Sequence, residues 1–155
     1  MDGYAGDQGR AEVHAAAVVA ELRLSGCDGC HGCGLRCTEG IAMSRSEFEA
    51  VRAAAGCGTP VARQTVDLGE GLVVRMCRFW DPEAGCAVYA ARPLVCRMMG
   101  TVEWMPCPLG QAPQPASAAA VLPHWLAYAE EGLKTYEEWE AAEAARCGVT
   151  GGAVP

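Results

Sequence analysis

Apolar positions along this chain repeat with helical spacing in some stretches and alternate in others, and Gly, Pro and Ser mark the boundaries. From Arg10 to Leu24 an Ala-rich run sets Val13, Ala16, Ala17, Ala20 and Leu24 on one side, which predicts a helix closed near Ser25-Gly26. Ser44 followed by Glu47 is a capping box, and Phe48, Val51 and Ala55 repeat behind it, so a second helix runs to Gly56. Between Val61 and Trp80 the pattern turns strand-like. Val61, Thr65, Val66 and Leu68 lead into a Gly69-Glu70-Gly71 turn, and Leu72, Val73 and Val74 lead out toward Met76 and Trp80, which predicts a β-hairpin. Asp81 to Gly85 reads as a turn, and Arg92-Pro93 opens a short helix carrying Leu94, Val95, Cys96, Met98 and Met99.

Past Gly110, a stretch with two prolines reads as a linker, and Pro123 begins a last helix. Trp125, Leu126, Ala129, Leu133, Tyr136 and Trp139 form its apolar stripe, while Glu130, Glu131, Glu137, Glu138 and Glu143 make the other side acidic. The expected fold class is mostly α with a small β-hairpin (α+β), an irregular metal-centred cysteine-rich domain. Residues 1–110 are expected to form that domain with its N-terminal helix. Residues 111–155 supply the linker and an amphipathic helix packed on it.

Composition and charge narrow the class. The chain has 155 residues, 51% of them apolar, enough to form a core. Its formal charge of -7 and pI near 4.9 repel a nucleic-acid backbone, so no nucleic-acid partner is expected. The first ten residues lack a basic, apolar leader, and no apolar run reaches membrane-spanning length. A cytoplasmic protein with no membrane partner is expected.

That placement governs the reading of ten cysteines, because a reducing compartment disfavours structural disulfides and turns clustered thiols into candidate metal ligands. Cys27, Cys30, Cys33 and Cys37 follow the spacing C-x2-C-x2-C-x3-C, by which bacterial ferredoxins hold iron-sulfur clusters. The Pro that usually follows is Thr38 here. Cys77, Cys86, Cys96 and Cys107 form a second, wide set that only the fold is able to gather. Cys57 and Cys147 stand apart and are expected to be bystanders, as is His14, read as a solvated residue on the first helix. His31 lies inside the loop, but a residue between two ligands usually points away from the metal, so it stays outside the ligand set.

These elements resemble the CxxCxxCC zinc- or iron-chelating proteins, also called the YkgJ family. Shared features are the glycine-containing cysteine loop, Cys77-Arg78-Phe79, Gly85-Cys86-Ala87-Val88-Tyr89, Arg92-Pro93-Leu94-Val95-Cys96-Arg97 and Cys107-Pro108. The resemblance runs from about Cys27 to Cys107. In the best ungapped fit Arg36 stands where the family has the first Cys of its CC pair, and Cys27 is extra; Cys27 replacing the missing ligand restores eight. The resemblance implies a chelating role for Cys27, Cys30, Cys33, Cys37, Cys77, Cys86, Cys96 and Cys107, with zinc or iron as the metal.

Spacing favours one or two 4Fe-4S clusters over zinc, since structural zinc loops usually pair two knuckles of two ligands each. Arg36, Arg75, Arg78, Arg92 and Arg97 all lie near a candidate ligand, in a chain whose one lysine is Lys134. They either offset the negative charge of a cluster or pair with the many carboxylates. No Ser-His-Asp order, phosphate loop, HExxH or GxGxxG is present, so a self-contained hydrolase or nucleotide enzyme has no support. Three readings follow. The first is a small iron-sulfur protein in electron transfer, or an accessory to another enzyme, with a protein redox or client partner. The second is a zinc-stabilised interaction module. The third is a metal-dependent enzyme, because the same cysteine family includes a flagellin lysine methylase in which this domain is part of a larger protein.

Overall fold

The computed structural model describes residues 4–22, 33–56, 64–110 and 115–146. It combines five helices with short antiparallel strand pairs, a small α+β fold. The helices are α1 (Tyr4–Glu21), α2 (Arg45–Ala55), α3 (Leu94–Met98), α4 (Ala118–Ala129) and α5 (Tyr136–Arg146). The strands are β1 (Ala42–Met43), β2 (Thr65–Asp67), β3 (Val73–Arg75), β4 (Trp80–Asp81), β5 (Gly85–Cys86), β6 (Thr101–Val102), β7 (Met105–Pro106) and β8 (Lys134–Thr135). They pair as β1 with β8, β2 with β3, β4 with β5 and β6 with β7, rather than merging into one sheet.

Local rules account for much of this. At the start of α2 the Ser44 hydroxyl accepts the Glu47 N–H at 3.3 Å, and the Glu47 carboxylate accepts the Ser44 N–H at 3.0 Å, completing the capping box. Gly56 ends the helix at φ +65°, a conformation that costs glycine little. The hairpin forms with Thr65 opposite Arg75 and Asp67 opposite Val73.

Two apolar clusters hold the elements together. The first joins Val18 of α1 and Leu22 just past its end to Leu94 and Met98 of α3, Val102 of β6, and Val121 and Tyr128 of α4. The second joins Met43, Phe48 and Val51 to Val88 and Tyr136, with Phe79 and Trp139 packed against it.

Three expectations need correction. The first helix buries Val18 and Leu22 rather than the predicted face, and Val13 is 66% exposed. Alanine on every side gives such a helix no strong sidedness, so the few branched residues that meet α4 decide its rotation. His14 is half-buried rather than solvated, and its Nδ1 is buried without a hydrogen-bond partner, with the ring 5.8 Å from that of His124.

The single C-terminal helix is in fact two. Helix α4 starts at Ala118, with the Ser117 hydroxyl accepting the Ala120 N–H at 3.3 Å, and Pro123 lies inside it. Much of the supposed linker is therefore structured: Ala116 donates to the Thr101 carbonyl at 2.7 Å and packs on the first cluster. Gly132, at φ +74°, turns the chain before β8 and α5. The acidic side of α5 faces the protein's own arginines. Glu143 pairs with Arg45 and Arg52 of α2, and Glu140 meets Arg78 at 2.9 Å.

Candidate metal centre

Four segments bring thiols to one cavity. Cys33 and Cys37 flank a 3-10 turn (Gly34–Arg36) in which the Cys37 N–H reaches the Gly34 carbonyl at 2.9 Å. Gly34 is needed there, because a Cβ would stand 2.5 Å from the Trp80 indole nitrogen. The Cys77 N–H donates to the Cys37 carbonyl at 2.6 Å, which clamps the exit of the hairpin to the loop. Cys86 sits on β5 opposite Trp80, after the Asp81 carboxylate has closed the turn by accepting the N–H groups of Glu83 and Ala84. Cys96 rides on α3. The Leu94 N–H at that helix's start is taken by the Glu47 carboxylate at 2.6 Å.

Cys33, Cys37, Cys77, Cys86 and Cys96 line a cavity of about 90 Å³, walled otherwise by Ile41, Met43, Val51, Phe79, Trp80, Val88 and Tyr136, among others. Cys107 is not among the residues lining that cavity but lies near Cys33. The two approach across Gly100 (φ +82°), where a Cβ would meet the Cys33 sulfur at 3.6 Å and the Cys107 Cβ at 3.6 Å. Cys27, Cys30, His31, Cys57 and Cys147 lie outside the described residues.

The electrostatics follow from this crowding. Cys37, Cys77, Cys86 and Cys96 are half-buried free thiols. Burial first, then Cys77, Cys86 and Cys33, push Cys37 up to about 11, and burial followed by Cys37, Cys77 and Cys86 pushes Cys96 up to about 12. Burial also raises Cys77 and Cys86. It is opposed at Cys77 by the backbone N–H of Phe79, and at Cys86 by that of Val88 and then by Arg92. Neighbouring sulfurs that disfavour one another's ionisation, with backbone N–H donors at Cys77 and Cys86 and the Arg92 charge on the same wall, make a site that favours a cation. A thiophilic metal supplies it, so the donor set fits zinc or an iron-sulfur cluster. Among the described residues no three His, Cys, Asp or Glu side chains stand close enough together to grip a single ion.

A family model, CxxCxxCC, described as a zinc- or iron-chelating domain, matches residues 27–117. The chain belongs to the CxxCxxCC family. No curated protein and no solved structure matches it. Membership gives the chain a metal-binding role without choosing between zinc and iron. Among the described residues, no helix is long and apolar enough to cross a membrane.

Sequence reasoning missed several groups on this wall. Tyr136 and Glu137 reach the cavity from α5, outside the span of the CxxCxxCC match. Their only signal in the sequence is an amphipathic stripe. Arg36, at the position of the missing CC cysteine, turns away and donates to the Pro106 carbonyl at 2.6 Å.

Proposed function

We infer that this CxxCxxCC protein is a small iron-sulfur protein, passing single electrons to or from a protein partner or serving as a metal-bound accessory to another enzyme. The observation that carries the reading is the gathering of Cys37, Cys77, Cys86 and Cys96, from four separate segments, around one apolar cavity. The C-x2-C-x2-C-x3-C spacing of Cys27, Cys30, Cys33 and Cys37 favours a cluster over the paired two-ligand knuckles of structural zinc, and Cys37, Cys77, Cys86 and Cys96 around one cavity match four-thiolate ligation. Those four cysteines would hold one 4Fe-4S cluster, which supplies one-electron chemistry when bound. Cys27, Cys30, Cys33 and Cys107 complete the set of eight chelating cysteines and leave room for a second cluster.

The chain's own residues prepare this chemistry. The N–H groups of Phe79 and Val88 stabilise anionic sulfur at Cys77 and Cys86. Phe79, Trp80, Val88 and Tyr136 give the cavity an apolar wall, and a less polar surrounding strengthens each of those interactions.

Anaerobically purified protein tests the reading by iron, zinc and acid-labile sulfide content with absorption spectra. Iron and sulfide in equal amounts, with a broad visible absorption band, are expected. Cys96→Ser is expected to lose most of that iron. A colourless protein replete with zinc overturns the iron-sulfur reading in favour of a zinc-stabilised module.

A further inference from the structure

Five arginines stand near candidate ligands in the sequence, and the structure separates one from the rest. Arg36 is engaged with the Pro106 carbonyl, and Arg75, whose side chain is 61% exposed, pairs with Glu39 at 3.6 Å. Arg97 donates its Nε–H to the Arg92 carbonyl at 2.8 Å. Arg78 lines the cavity, but its charge is met by Glu140 at 2.9 Å and Glu137 at 3.8 Å. Arg92 also lines the cavity, and among the described residues no carboxylate pairs with it.

Arg92 is nevertheless held in place. Its Nε–H donates to the Tyr89 carbonyl at 3.0 Å, and its guanidinium carbon lies 3.5 Å from the centre of the Tyr89 ring. A flat cation braced on an aromatic face gives up little further freedom when an anion forms beside it. It shares the cavity wall with Cys37, Cys86 and Cys96, which places it beside the thiol group as a whole. The other charged groups on the wall are Glu39, Arg78 and Glu137. Arg78 and Glu137 offset each other, and Glu39 is drawn to Arg75.

We propose that Arg92 is the fixed counter-charge of the thiol cavity and that it raises the reduction potential of the cluster bound there. The proposal rests on the iron-sulfur reading. Reduction adds one electron to the cluster, delivered by a protein electron donor or, in a measurement, by an electrode; no bond forms or breaks. A cation nearby stabilises the more negative state and so makes that electron easier to accept.

The test is a redox titration of the full-length, anaerobically loaded protein, followed by absorption, on wild type, Arg92→Gln, Arg92→Lys and Arg75→Gln. Arg92→Gln is expected to shift to more negative potential, while Arg92→Lys and Arg75→Gln stay close to wild type. Wild-type protein lacking iron and sulfide fails the cofactor reading, and the role of Arg92 falls with it. A loaded wild type with Arg92→Gln unshifted, or with Arg92→Lys or Arg75→Gln shifted as far as Arg92→Gln, overturns the role of Arg92 alone. Should Arg92→Gln not load, Arg92→Lys decides: loading with a near wild-type potential supports the counter-charge, and failure to load overturns it in favour of a packing role.

Discussion

The carboxylate of Glu47 accepts the backbone N–H of Leu94 at 2.6 Å, across 47 residues of chain. Glu47 belongs to the capping box of α2, and Leu94 opens the helix that carries Cys96. The Tyr128 hydroxyl of α4 donates to the same carboxylate, and it accepts the Ser44 N–H at 3.1 Å. Burial and the adjacent Glu47 push that hydroxyl's pKa well above its usual range, so it remains a donor. One side chain thus joins three helices. Glu47→Ala is expected to cost about 3 kcal/mol in urea unfolding, because it leaves several part-buried donors unanswered, whereas Tyr128→Phe costs about 1 kcal/mol. Equal losses for the two would show that Glu47 acts only through Tyr128.

Gly34 faces Trp80 with no space between them. The methyl of Gly34→Ala would press on the indole at 2.5 Å, so the turn carrying Cys33 and Cys37 must shift. An overpacking cost of about 1–3 kcal/mol is expected. Reduced metal content should accompany it, read by elemental analysis beside a thermal melt. Full stability with full metal content would show that Trp80 swings aside freely.

Metal removal should be felt throughout the fold. Structural metal binding supplies apparent free energies of roughly 10–16 kcal/mol, against a total of about 5–15 kcal/mol for a small domain. The chelated protein is expected to lose much of its helical circular dichroism. A cooperative unfolding transition surviving complete demetallation would refute this.

Cys57 and Cys147 stand apart in spacing from both sets of candidate ligands. Single replacements by Ser are expected to leave metal content within error of wild type, in contrast to Cys37, Cys77, Cys86 or Cys96. A stoichiometric loss from either would place it among the ligands.

What the sequence disclosed depends on the range of the interaction. The capping box at Ser44 and Glu47 and the turn at Gly69 to Gly71 are local, and both formed as read. The rotation of α1 depends on which bulky residues meet α4, and alanine spacing carries no trace of that. The break between α4 and α5 comes from Gly132, whose left-handed turn overrides an otherwise continuous apolar stripe. The thiols were legible as residue types but not in their grouping, because Cys33 and Cys37 of the tight set share a cavity with Cys77, Cys86 and Cys96, while Cys107 lies by Cys33 across Gly100. Which of the arginines line their cavity was not, because Arg75, Arg78 and Arg92 all lie within four residues of a cysteine in sequence and only packing places the side chain.

The pairing of Met43 with Lys134, and with it the arrival of Tyr136 and Glu137 at the cavity, lies partly beyond residue 117, where the family match stops. A fragment trimmed to that match would keep all eight candidate ligands yet lack the stretch of wall that Tyr136 and Glu137 supply. Side chains that are not candidate ligands thus belong to the chamber, and trimming them is expected to weaken metal retention.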